Sequence, residues 1–469
     1  MAERGIIGYG TYVPYWRLDR SRITAAMGAG GGRGHRAVAS YDEDTTTLGV
    51  EAARNCLRGG SGDAPVDRVI FSTSNPAYLD KTNATAIHAA LNLPSSVTAL
   101  DLNGAPRSIE AALGLALNAP GDNLMVLSDI RTGRPTSGDE ANGGDGAAAF
   151  LIGDGSSSPI IAHELGSATE VAEFLDRYRQ PGDDFSRVWE ERFGEQAYLP
   201  LAQRAVERAL TAADLTMDDI DGVSVTGMHA RAARGVSRLA GDKLVNDLTS
   251  QIGNAGGAQT GLVVASILDD AEPNQNYLII RLADGATATV MHTTDAIADY
   301  EPFRTVGSQI EGGNDALDYN QYLTWRGFLD REPPRRPDPE RPGAPPAFRS
   351  EDWKYALIGS RDRSSGAIHM PPMRVSMEGG AVDDMEPVRM ADIPATIATF
   401  TVDRLAFSLS PPMVAVVIDY DGGGRFQAEM TDVDPEEVRI GDRVEMTFRR
   451  LYTAEGIHNY FWKARPAAG

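Results

Sequence analysis

Two side chains stand out as able to do chemistry: Cys56, the one cysteine in 469 residues, and His229. A thiolate is a nucleophile, and an imidazole can move a proton or donate a hydrogen bond near neutral pH. Cys56 falls at helical spacing with Leu48, Ala52 and Ala53, which reads as a small core side chain. His229 ends a strand-like run at 222–229 and is followed by Ala230-Arg231-Ala232-Ala233-Arg234, a placement that favours a site role over a hydrogen-bonded loop histidine. The other histidines are scattered, with no His-x-x-x-His pair to suggest a metal. Lys81, Arg107, Arg131, Arg134, Arg231 and Arg234 fall at loop positions. Gathered, they would form a mouth for an anionic ligand; scattered, they are solvated charges, and sequence alone does not choose.

Such residues need elements to position them, and the chain supplies these twice. Helical spacing at 52–57 leads through an acidic turn to a strand at 69–75, and the same order recurs at 205–210 and 222–229. The apolar helix 109–117 leads to strand 124–127 as the helix 262–268 leads to 277–280. Each copy then carries a Gly/Asp element and an apolar strand, at 144–150 and 283–288. Three elements repeating in order predict two β/α halves, at 1–165 and 166–330, packed as one pseudo-twofold layered domain.

A Pro-rich joint at 331–346 follows. Pro333, Pro334, Pro337, Pro339, Pro342, Pro345 and Pro346, interleaved with Arg335, Arg336 and Arg341, read as an extended spacer. Beyond it, short strands at 398–402, 413–420, 425–430 and 443–448, with Gly422-Gly423-Gly424 as a turn, predict a small β-barrel within 386–469. The formal net charge of −22 and the barrel's Asp419, Asp421, Glu429, Asp432 and Asp434 oppose a nucleic-acid partner. A single cysteine excludes an intrachain disulfide framework. No apolar run approaches membrane-spanning length, and Met1-Ala2-Glu3-Arg4-Gly5 lacks a signal peptide's features, so a cytoplasmic protein without a membrane partner is expected.

These residues carry a resemblance. Gly8-Tyr9-Gly10-Thr11-Tyr12-Val13-Pro14, Asp42-Glu43-Asp44-Thr45-Thr46-Thr47, Ile252-Gly253-Asn254 and the helix 262–268 with its Asp269-Asp270 end resemble the thiolase superfamily, in its archaeal-type hydroxymethylglutaryl-CoA synthase branch. The C-terminal third is similar to the zinc-ribbon plus OB-fold module that accompanies such thiolases. The resemblance implies a five-layered αβαβα domain made of two halves, then a ribbon at 347–385 and an OB-fold barrel. It also implies a CoA or carrier thioester as substrate, no permanently bound cofactor, and a homodimer or a hetero-oligomer with a thiolase-like partner.

The same resemblance marks departures. The acyl-enzyme cysteine of condensing members falls at Pro106, which has no nucleophilic atom and no N–H for an oxyanion hole. The synthase-type general base, a glutamate, falls at Asn75. His229 resembles the superfamily's catalytic histidine and Asn254 the asparagine that shares its task, a pair that can hold a thioester carbonyl. The zinc positions fall at Asp362, Ser365, Ser376 and Gly379, a poor set for tetrahedral zinc, so zinc is expected to be absent; His369 and Glu378 offer at most a weak site.

Three functions fit these residues. The first is aldol-type cleavage or formation of a carbon–carbon bond on a β-hydroxyacyl thioester without an acyl-enzyme. It would use a His229 and Asn254 clamp, with Asn75 beside it, and His229, Tyr78 or another tyrosine as proton carrier. Lys81, Arg107, Arg231 and Arg234 would take the CoA. The second is a non-catalytic scaffold that binds acyl-CoA or a competent partner. The third is an acyltransferase with an unrecognised nucleophile such as Ser108.

Overall fold

The computed structural model describes residues 3–60, 64–334 and 339–467. Met1 and Ala2 of the N-terminal reading, and Arg335, Arg336 and Pro337 of the joint, lie outside them. The chain divides into two compact units. The first comprises 1–39, 51–84 and 95–319, and the second 40–50, 85–94 and 320–469.

The first unit is built on nine strands: β1 (Gly5–Tyr12), β2 (Arg68–Ser72), β3 (Thr98–Asp101), β4 (Asn123–Ile130), β5 (Asp145–Gly153), β6 (Ala162–Val171), β7 (Gly222–Gly227), β8 (Asn276–Leu282) and β9 (Gly285–Thr293). They lie in the order β7-β8-β9-β6-β1-β5-β4-β2-β3. The duplication is written in the register. Arg68 pairs with Asn123 between parallel β2 and β4, and Gly222 with Tyr277 between parallel β7 and β8, the same sequence offset in both halves. In each half an antiparallel strand follows, β5 and β9. A counterpart of β3 survives as a parallel bridge from Leu244 to Val223. The halves join where Gly5 and Ile6 of β1 pair with His163 and Ala162 of β6, so the two half-sheets are continuous. The second half opens with β6, and a boundary at 165 therefore cuts a strand.

Two helices of corresponding position serve one core. In α2 (Ser108–Asn118), after α1 (Thr45–Leu57), Ile109, Ala112 and Ala116 are buried. In α5 (Gln259–Asp270), Leu262, Val263, Val264, Ile267 and Leu268 join them, so that α5 is apolar on every side, as a fully buried helix must be. A Cβ on Gly261 would stand 2.7 Å from the Ala148 side chain of β5, so glycine sets how closely helix and sheet approach. Between them α3 (Glu191–Ala213) and α4 (Ala230–Ser237) pack with β6 to β9 in a second core. Cys56 is fully buried in α1, and burial pushes its thiol up to about 12, which accords with a core side chain.

In the second unit the strands Ala395–Asp403, Met413–Tyr420, Arg425–Met430, Ile457–Pro466 and Arg443–Ala454 close into a barrel. Ile358–Asp362, Ile368–His369 and Met385–Arg389 form a separate three-stranded sheet. Two expectations change. Pro345 and Pro346 are not spacer but occupy the first turn of the helix Ala344–Arg349, where a missing N–H costs no hydrogen bond. The barrel also gains Ile457–Pro466, a strand the alternation rule passes over because Lys463 and Arg465, on the face opposite Tyr460, Trp462 and Ala464, are buried as well. These buried charges are paired. Lys463 Nζ lies 2.9 Å from Asp42 Oδ2 and 2.8 Å from Glu429 Oε2, and Arg449 meets Glu43 and, at 2.5 Å, Asp432. Burial alone would raise the Asp42 carboxyl; Lys463 and Arg449 reverse that and hold it at about 2.

Candidate active site

The first unit holds a cleft of about 1130 Å³ with an unusual lining for a chain of net charge −22. Seven arginines face it, Arg20, Arg33, Arg131, Arg134, Arg177, Arg187 and Arg234, beside six carboxylates, Asp139, Asp176, Asp183, Asp184, Glu191 and Asp247. Arg33, Arg134 and Arg234 are exposed at its rim and form no ion pair with the described residues. Of the six basic residues singled out from the sequence, the fold therefore gathers Arg131, Arg134 and Arg234 here. Arg107 instead donates to the Ala283 carbonyl at 2.6 Å, Arg231 pairs with Glu191 at 3.4 Å, and Lys81 is exposed and donates to the Thr82 carbonyl.

His229 and Asn254 both line the cleft. They come together because the Asn254 amide nitrogen donates to the carbonyl of Gly227 at 2.9 Å, two residues before the histidine, while its oxygen accepts from the Gly256 N–H. Asn254 is itself fixed by the parallel bridge to Gly143. The amide nitrogen carries a second N–H for a ligand carbonyl.

His229 is placed differently from its expected role. Its Nδ1 accepts the Ala232 N–H at 3.0 Å and so caps α4, and its Nε2 lies 2.7 Å from the Glu191 carbonyl oxygen. An Nδ1 that accepts leaves the proton on Nε2, which donates to Glu191. Neither nitrogen is open to a substrate in this arrangement, which corrects the expectation of an open histidine clamp. A Cβ on Gly194 would come within 2.7 Å of the ring, so glycine in α3 makes the room it needs.

Sequence reasoning missed Asp176, which has no motif around it. It is buried, lines the cleft, and sets Oδ1 3.9 Å from His229 Nε2 while Oδ2 accepts the Tyr198 hydroxyl at 3.3 Å. Burial raises its carboxyl above the usual range, against the opposing pull of His229 and Tyr198. A carboxyl so placed can carry a proton.

The remaining candidates lie off the cleft lining. Asn75 follows Ser74 at the end of β2, and its N–H donates to Thr73 Oγ1. Tyr78 is fixed through its backbone, which exchanges hydrogen bonds with the Asn83 side chain. Pro106 stands in the turn before α2, which starts at Ser108, and not inside the helix.

The zinc positions of the second unit hold a hydrogen-bonded knot. Asp362, fully buried, accepts from the hydroxyls of Ser364 at 2.8 Å and Ser365 at 2.6 Å, and Ser376 donates to the Glu378 carbonyl at 2.7 Å. Hydrogen bonds from Ser365 and Ser364 hold the Asp362 carboxyl well below its ordinary range. Its oxygens are thus already engaged, and a glycine supplies no fourth ligand; the donor set does not fit a structural zinc. The barrel carboxylates counted as repelling nucleic acid are largely matched. Asp419 pairs with Arg425, Asp421 with Arg443, Glu429 with Lys463 and Asp432 with Arg449. Among the described residues no helix is long and apolar enough to cross a membrane.

Comparison with known proteins agrees with this architecture. Residues 388–449 match the family described as the ChsH2 C-terminal OB-fold domain. The hydroxymethylglutaryl-CoA synthase of Pyrococcus furiosus is 29% identical over 297 residues, covering 61% of this chain and 85% of that protein. That of Aeropyrum pernix is 29% identical over 346 residues, covering 70% and 95%. A crystal structure of an HMG-CoA synthase complexed with CoA superposes with a TM-score of 0.58 at 16% identity, over 69% of this chain and 90% of its own.

Proposed function

This chain is hydroxymethylglutaryl-CoA synthase-like in sequence and thiolase-like in fold, with an OB-fold domain, and from that premise we propose that it makes or breaks a carbon–carbon bond on a CoA or carrier thioester without an acyl-enzyme. The observation that carries this reading is the arginine-lined cleft that contains Asn254 and Asp176. Rim guanidiniums suit the phosphates of CoA or of a carrier's pantetheine arm. Pro106 offers no nucleophile, so the chemistry has to proceed on the bound thioester itself.

Aldol cleavage of a β-hydroxyacyl thioester needs little more than this cleft holds. A base takes the β-hydroxyl proton, the C–O bond becomes a carbonyl, and the Cα–Cβ bond breaks. The electron pair enters the thioester enolate, which the Asn254 N–H stabilises and an acid then protonates. Asp176 is the proton carrier in this reading, and His229 is a positioning residue that orders α4 and the Glu191 turn. The reverse direction uses the same groups.

The test is a panel of acyl-CoA and β-hydroxyacyl-CoA thioesters assayed for cleavage and condensation with the wild type and Asn254→Ala. Turnover of a β-hydroxyacyl thioester that the variant loses supports the proposal. Tight binding with no turnover would replace it by the scaffold reading, which the loss of nucleophile and glutamate also suits. A covalent acyl adduct in intact-mass spectra would replace it by acyltransfer.

A further inference from the structure

Beside the cleft the first unit holds a second cavity of different chemistry, about 90 Å³ and largely apolar. Leu113 and Leu117 of α2, Val264 of α5, and Met125, Phe150 and Ile279 of the sheet face it. Its polar lining is mostly engaged. Arg281 is held bidentately by Glu110, at 2.6 and 3.0 Å, and donates to Thr289 Oγ1 at 3.0 Å. His163 Nε2 lies 3.1 Å from Glu3 Oε1, and Glu164 is exposed. Of the buried side-chain polar atoms in this wall, His163 Nδ1 alone has no hydrogen-bond partner among the described residues. A buried water needs about two to four such partners, so the space suits an apolar guest. Close-packed interiors leave few voids of this kind, because their walls forfeit contacts that a larger side chain would make.

The cavity adjoins the cleft at a pair of hydroxyls. Thr226 and Gln259 line the cleft, while Thr260, next to Gln259, and Arg281, the β8 partner of Thr226, line the cavity. Thr226 Oγ1 and Thr260 Oγ1 stand 2.7 Å apart and share a hydrogen bond, which marks the boundary between the two. That boundary lies beside Asn254, whose amide donates to the carbonyl of Gly227, the residue after Thr226. An acyl group whose carbonyl is held by Asn254 therefore has its alkyl end near the threonine pair. Parting two hydroxyls opens a path from polar into apolar surroundings.

We propose that this cavity is an acyl-chain subsite: the thioester substrate carries a short aliphatic chain that passes Thr226 and Thr260 and ends between α2 and α5. The inference rests on the cleft being the thioester site. An apolar cavity of about 150 Å³ takes up benzene, so the smaller volume here suits about three or four chain carbons.

Its test is the affinity of the full-length protein for acetyl-, butyryl-, hexanoyl- and decanoyl-CoA, by calorimetry. Affinity is expected to rise about fourfold per methylene from butyryl- to hexanoyl-CoA and to level off by decanoyl-CoA. Leu113→Trp, which fills the cavity from a half-buried position on α2, should erase the rise and leave acetyl-CoA unchanged. Equal affinities across the series in the wild type overturn the inference and leave the thioester reading standing, and this comparison needs no variant. A rise that persists in Leu113→Trp places the chain elsewhere and also overturns it. If no thioester binds, the thioester reading and this inference fall together.

Discussion

At the residue scale the cleft separates groups that hold a substrate from groups that hold the protein. In the proposed function Asn254 belongs to the first kind, because an amide N–H aimed at a carbonyl gains strength as negative charge develops there. Asn254→Ala is expected to lower kcat by about 10²–10³ with a much smaller change in KM, read by steady-state kinetics on whichever thioester turns over. Asp176 is expected to set the acid limb of the pH–rate profile. Its carboxyl is raised, so as a base it loses its proton only above the usual ~4 for a carboxylate, and activity should rise with pH across that shifted value. The sign for stability is the opposite. A group that binds its proton more tightly when folded stabilises fully at low pH and loses that contribution as pH rises through the raised value. Asp176→Asn, fixed in the neutral form, should thus lose the rate while melting no lower than wild type at pH 8; a clear fall in Tm would make Asp176 a structural anchor. His229 belongs to the second kind. His229→Ala removes the cap of α4 and is expected to cost about 1 kcal/mol, part of which His229→Asn should restore. Its chemistry was legible in the sequence and its engagement was not, because a histidine at a strand end looks the same whether its nitrogens face a cleft or a backbone.

At the scale of elements, the internal repeat was readable because both halves keep the same order of helix, strand and Gly/Asp turn, and the matching register offset between β2 and β4 and between β7 and β8 is its three-dimensional form. Two features escaped that reading for one reason: pattern rules assume that charge is exposed. The strand Ile457–Pro466 breaks the rule with Lys463, and the ribbon breaks it with the buried Asp362. Among the central helices, Leu262→Ala in α5 should cost about 2–5 kcal/mol, measured by denaturant unfolding, because a fully buried site on an all-apolar helix cannot collapse around the cavity. Around the three-stranded sheet of the second unit, the Ser364 and Ser365 hydroxyls already engage the Asp362 carboxyl, a donor set that argues against a structural metal. Thermal unfolding is expected to be unchanged by a strong chelator, and purified protein should contain no stoichiometric zinc by elemental analysis. Asp362→Ala should lower the melting temperature. Since the Asp362 carboxyl is depressed in the folded chain, its contribution is present at neutral pH and disappears as pH falls below the unfolded value of ~4 and through the folded one.

For the whole molecule the decisive quantity is the contrast between a net charge of −22 and a cleft where seven arginines outnumber six carboxylates and where Arg33, Arg134 and Arg234 form no ion pair with the described residues. A CoA thioester is a polyanion, so the overall field repels it while the cleft attracts it, and the two act over different distances. At 0.15 M salt the screening length is about 8 Å, which removes most of the repulsion from distant carboxylates but leaves contacts of a few ångströms at the rim. Affinity is therefore expected to fall with added salt, as contact attraction dictates, and not to rise, as relief of overall repulsion would require. The exposed, unpaired Arg134 and Arg234 place this effect at the rim. The double change Arg134→Gln with Arg234→Gln should weaken free CoA binding and flatten its salt dependence. Calorimetric titrations of free CoA between low and physiological salt read both quantities. An affinity that rises with salt, or a double variant that keeps the wild-type salt slope, would show that the rim arginines do not supply the attraction.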